Sequence, residues 1–97
     1  MKIFFSESAL SDLEEIKGYY LSEGVSQVGE DFVVSIIEHT ETLQDNPDIG
    51  RMVPEFQEPN LRELIHPPFR IVYLRESSSI HIVRIWRSER LLQFENK

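Results

Sequence analysis

The apolar residues of this 97-residue chain change period once, near Pro47, and that change confines the fold more than any other feature. Ahead of it, Ala9, Leu13, Ile16 and Tyr20 recur at helical spacing through ESALSDLEEIKGYYLSE, with acids on the other side. Ser6 stands where it can cap this helix, Glu7 at the positive end of its dipole, and Gly24 at its close. Val28, Phe32, Ile36 and Leu43, flanked by Val33 and Ile37, form a second stripe from about Ser26 to Gln44. Pro47 ends it, because the residue before a proline is pushed out of the helical region. Two helices joined by a tight glycine turn predict an antiparallel hairpin.

After NPDIGR (46–51) and the loop MVPEFQEPN, period two takes over. Pro54 and Pro59 keep that loop out of any central strand. LRELI (61–65) alternates, His66-Pro67-Pro68 bends the chain, and FRIVYLR (69–75) is strongly β-branched and aromatic. ESSS (76–79) turns it into IHIVRIW (80–86), and KIFF (2–5) reads as an edge strand. The order β-α-α-β-β-β, without repeats or linkers, predicts a single α+β domain over residues 1–97. A helical hairpin covers one face of a twisted antiparallel sheet, and the other face is left over.

Charge divides the chain as sharply as period does. Residues 1–50 hold Lys2 and Lys17 against eleven acids, a net of -9. Residues 51–97 hold seven arginines and Lys97 against six glutamates, a net of +2. The total of -7 argues against diffuse nucleic-acid binding, and no direct sequence-specific nucleic-acid contact is expected. Without cysteine there is neither a disulfide nor a thiolate metal site. No apolar run reaches the roughly 20 residues of a membrane span, and the first residues lack a signal-peptide core, so a cytoplasmic location is expected.

Period two also sorts the arginines by face. Phe69, Ile71, Tyr73 and Arg75 share one side of their strand, with Arg70, Val72 and Leu74 on the other. On the next strand, Ile80, Ile82, Arg84 and Trp86 are expected opposite His81, Val83, Ile85 and Arg87. Arg70 is the odd residue in an apolar strand; its plainest role is an ion pair with Glu63 or a helix acid. Arginine's planar fork equally suits bidentate capture of phosphate or of an acidic partner. Trp86, beside Arg84, Arg87 and Arg90, is either a core or rim aromatic or an interface anchor. No pair among His39, His66 and His81 has a metal-ligand spacing, and neither a metal nor a cofactor is expected.

ALSDLEEIKGYY, NPDIGR, LREL, FRIVYLR and IHIVRIWRSERLL, in this order along the whole chain, resemble the RelE/ParE superfamily of bacterial toxins from type II toxin–antitoxin pairs. The resemblance implies the same helical hairpin on a twisted sheet, and a cognate antitoxin that wraps the toxin as a hetero-oligomer. It also implies one of two actions. RelE-like members cleave mRNA on the ribosome, for which Arg70, His81 and Arg87 would be the catalytic set. ParE-like members inhibit DNA gyrase, causing growth arrest without that chemistry. Leu91-Leu92-Gln93-Phe94 supply no Tyr or His after Arg90, and the pI of ≈ 4.9 is unlike that of a strongly basic ribosome-entering nuclease. Gly50-Arg51 and the arginine-rich close look nearer ParE. On that branch Arg70, Arg84, Trp86, Arg87 and Arg90 would bind the antitoxin. A non-toxic interaction module of the same fold remains as a third reading.

Overall fold

The computed structural model describes residues 1–88. The chain runs as β1 (Lys2–Phe5), α1 (Glu7–Ser22), α2 (Ser26–Glu41), a 3-10 turn at Thr42–Gln44, β2 (Arg51–Met52), β3 (Leu61–His66), β4 (Phe69–Arg75) and β5 (Ser79–Arg87). Ser6 caps α1 as its spacing predicts: its Oγ accepts from Ala9 N at 3.0 Å and donates to Val83 O at 3.0 Å. Gly24, at φ 78°, makes the turn between the helices. Both helices pack on a five-stranded sheet of order β1-β5-β4-β3-β2. Their shared core includes Leu13, Ile16, Ile36, Leu43, Phe69, Ile71, Tyr73 and Ile82. Each such side chain contributes about 1.5–3 kcal/mol by leaving water.

Two features depart from the expected antiparallel sheet. Arg51–Met52 adds a short edge strand, antiparallel to β3, in a stretch read as loop. β1 lies at the other edge, where it was expected, but runs parallel to β5, so the sheet is mixed. The reason lies in α1. Phe5 pairs with Ile82, Ser6 then bonds Val83, and Asp12 bonds Arg84 and Ile85. The chain therefore advances along β5 in β5's own direction, and only a parallel β1 can feed it there.

A β-bulge overturns part of the face assignment. Val72 opposes Arg84, whereas Tyr73 opposes Ile82, so Val83 is the extra residue of β5. One inserted residue reverses every later side chain. Ile85 consequently joins Ile80 and Ile82 in the core, and Arg87 opposes core-facing Phe69 on the helix side. Arg84 opposes Val72 and Trp86 opposes Arg70, on the outer face together with His81, which opposes Leu74. Arg84 and His81 are thus on one face, contrary to the reading from period two.

Candidate functional site

The outer sheet face is not left bare. Val53 is fully buried, and the loop that follows it bends over the sheet through Glu55. Glu63, only 1% exposed, projects from β3 onto the same face and receives Arg51 Nε and Arg70 Nε, each at 2.6 Å. Arg70, 7% exposed, completes the chain of charges: its Nη1 and Nη2 donate to the two Glu55 oxygens at 2.8 Å each. The bidentate Glu55 hydrogen bonds raise the Arg70 pKa most, against desolvation that lowers it. Every described donor direction of this guanidinium ends on a carboxylate, so a phosphate or acidic peptide would first have to displace Glu55.

Arg84 lies on the part of β5 beyond Ile82, which no strand flanks on the β1 side among the described residues. Its Nε and Nη2 donate to the Asp12 carboxylate at 2.9 Å each, and its Cζ lies 5.1 Å from the Trp86 ring centroid. The Asp12 hydrogen bonds are the main reason its pKa is raised. Asp12 also accepts from Ile85 N at 2.8 Å, which satisfies an N–H that β1 is too short to reach. Arg75 bonds Asp48 at 2.9 Å, and Arg62 donates to Gly50 O at 2.8 Å, which ties the NPDIGR loop to the strands.

Arg87 occupies a different setting. Its Cζ sits 5.6 Å from the Phe69 ring, and it borders an open cleft of about 410 Å³ lined also by Asp12, Glu15, Tyr19, Tyr20 and Ile85. The cleft lies beside the half of β5 beyond Ile82, which β1 leaves unpaired among the described residues. His81 is at the other end of the same strand, stacked on Phe4 at 5.2 Å and 3.0 Å from Glu76. Six residues of strand separate it from Arg87, roughly 20 Å. Arg70, His81 and Arg87 are therefore not brought together: Arg70 faces outward under Glu55, Arg87 faces the helices, and His81 is remote. Arg90 lies outside the described residues.

Two participants escaped the sequence reading. Asp12 was counted with the solvated acids of α1, yet it is buried. An acid adjacent to Leu13 and four residues before Ile16 falls within the apolar stripe, and that position was the available signal. Glu55 sits in a proline-flanked loop with no periodicity to announce it. A third cluster joins His66, at the β3–β4 turn, to His39 and Ser35 on α2. Burial first, and then the neighbouring His39, hold the His66 imidazole below its ordinary value of 6.5. Among the described residues, no group of three or more His, Asp or Glu converges as a metal centre, and no helix is long and apolar enough to cross a membrane.

The helical hairpin, clamped by buried Asp12 to β5, packs on the sheet as an α+β module whose fold is similar to that of a solved toxin–antitoxin component. A chain of the chromosomal ParDE TA system from P. aeruginosa superposes with a TM-score of 0.76 at 26% identity, covering 90% of this chain and 95% of that one. The chain belongs to the ParE toxin family of type II toxin–antitoxin systems, parDE, whose sequence model matches residues 3–92. No match was found among curated proteins.

Proposed function

We propose that this protein acts as a ParE-type toxin in the cytoplasm, inhibiting DNA gyrase until a cognate antitoxin neutralises it. The observation that favours this over RNA cleavage is the occupation of Arg70 by Glu55 and Glu63. In-line attack by a 2'-hydroxyl needs a base, an acid and cations around one phosphate. Arg70 is engaged, His81 is held at the far end of β5, and arginine does not shuttle protons. The net charge of -7 also opposes entry among ribosomal phosphates.

The antitoxin-binding surface in this reading is the free half of β5 with its cleft. An extended or helical acidic segment would set apolar side chains against Tyr19, Tyr20 and Phe69 and carboxylates near Arg84 and Arg87, with Trp86 at its margin. Arg70 would contribute by holding the strand's outer face.

Expression without antitoxin should arrest growth, and co-expression of the antitoxin should relieve it. No effect on growth would favour a non-toxic interaction module. Purified protein should reduce supercoiling by gyrase while mRNA on translating ribosomes stays intact. Codon-position cleavage that disappears in His81→Ala or Arg87→Ala would replace gyrase inhibition by a RelE-like activity.

A further inference from the structure

His39 on α2 and His66 at the β3–β4 turn join the helical layer to the end of the sheet, and the toxin reading gives them no part. Their Nδ1 atoms are 2.9 Å apart, a separation that holds one shared proton and no more. Ser35 Oγ donates to Phe32 O at 3.0 Å and lies 3.0 Å from His66 Nε2. A hydroxyl has one proton to give. With that proton on the Phe32 carbonyl, Ser35 accepts from His66, which fixes His66 as its Nε2–H tautomer. His66 Nδ1 is then the acceptor and His39 Nδ1–H the donor.

We propose that this contact is an acid-sensitive latch: a proton taken up at His66 Nδ1 breaks it and frees the β3–β4 turn from α2. The two rings respond differently to a proton. His39 can take one at Nε2 and still donate from Nδ1. His66 already carries its proton at Nε2, so a second goes to Nδ1, the atom that receives the bond. Two N–H groups then face each other across 2.9 Å, with no acceptor between them.

Both rings are half-buried, and burial first, then charge on His39, hold His66 below its ordinary 6.5. Other charged groups lie on the surrounding elements. Glu63 and Arg70 are bonded to each other on the outer face, Arg87 lies over Phe69, Asp31 accepts from Gln27, and Glu38 and Glu41 are exposed. None of these offsets the shift, so the unfolded chain takes the proton first. The latch contributes fully above about pH 6.5 and is lost as pH falls through the lower folded value. Its release reaches the cleft: His66 pairs with Phe69 across the turn, and Phe69 meets Phe32 edge-on at 5.2 Å and lines the cleft beside Arg87. An effect on antitoxin capture rests on the proposed function; the latch itself does not.

The test uses the untagged full chain and needs no antitoxin. Imidazole nitrogen NMR near neutral pH should show His66 as the Nε2–H tautomer. On acidification His66 should titrate below 6.5, and amide exchange at residues 35–41 and 66–69 should accelerate with the same midpoint. The unfolding constant from urea melts should rise by up to about tenfold per pH unit below 6.5 for that one proton. His66→Asn keeps a hydrogen-bonding group at the Nδ1 position but cannot charge, and should flatten the rise; His81→Gln should leave it in place. Titration of His66 at or above 6.5, an Nδ1–H tautomer, or exchange that ignores the titration overturns the latch, as does a rise undiminished in His66→Asn. Should His66→Asn not fold, the wild-type tautomer, titration and exchange decide by the same criteria.

Discussion

Asp12 and Arg84, 72 residues apart in sequence, meet through two parallel 2.9 Å hydrogen bonds where β5 extends past the end of β1. The aspartate does more than balance a charge. It accepts Ile85 N–H beyond the reach of β1, so one α1 side chain satisfies the edge of β5 among the described residues and orients an arginine of the proposed antitoxin surface.

That double duty makes the pair asymmetric under mutation. Asp12→Ala leaves Ile85 N–H buried without an acceptor and frees Arg84, and should destabilise the fold by about 2–4 kcal/mol. Arg84→Ala keeps the Ile85 bond and loses a half-exposed guanidinium, so its cost should be nearer 1 kcal/mol. Urea unfolding of the two variants measures the difference; equal losses would mean that the backbone bond contributes nothing.

Arg70 is buried between Glu55 and Glu63, and removing one partner strands charge. Glu55→Met should cost about 2–3 kcal/mol, while the paired replacement Glu55→Met with Arg70→Met should cost less than the sum of the two single changes, Glu63 keeping Arg51 as its partner. A double-mutant cycle read by thermal and urea unfolding reports the coupling, and additive losses would contradict the ion pair.

Gly50 packs under Tyr73. A Cβ there would sit 2.6 Å from Tyr73 Oη and 2.7 Å from Glu63 O, and the backbone oxygen cannot move aside. Gly50→Ala should therefore destabilise by about 3 kcal/mol or more. Gly18→Ala is the contrast: nothing lies within 4 Å of its added Cβ, and a helix-interior alanine should gain about 0.5–1 kcal/mol. Melting temperatures should move in opposite directions.

Tyr73 Oη donates to Pro47 O at 2.9 Å and accepts from Gly50 N at 3.0 Å. Burial raises its pKa above the ordinary 10.0, while the hydrogen bond from Gly50 pulls the other way. The unfolded chain thus ionises first. The contribution is complete below pH 10 and is lost as pH rises through the higher folded value. Tyr73→Phe should be less stable than wild type by about 1–3 kcal/mol at pH 7–9, from the two lost bonds. That gap should narrow above pH 10 in urea unfolding; a constant gap would mean that the hydroxyl does not ionise on unfolding.

What the sequence settled by itself is local. The stripe from Ala9 to Tyr20, the Ser6 cap and the Gly24 turn specify the helical hairpin, because helix faces follow from spacing and backbone freedom alone. The alternation in residues 61–86 likewise specifies three strands and their antiparallel order. Periodicity carries a face assignment only while the element is regular, and the bulge at Val83 ended that regularity. Only the folded sheet decided that Ile85 turns inward and Arg84 outward. Partner choice was legible for Arg70 with Glu63 on the neighbouring strand, and beyond that it was out of reach. Asp12 finds Arg84, Glu55 finds Arg70 and His39 finds His66 across gaps of 72, 15 and 27 residues. Such pairings are set by which surfaces the packed layers press together, and a linear pattern of charges holds no record of that distance.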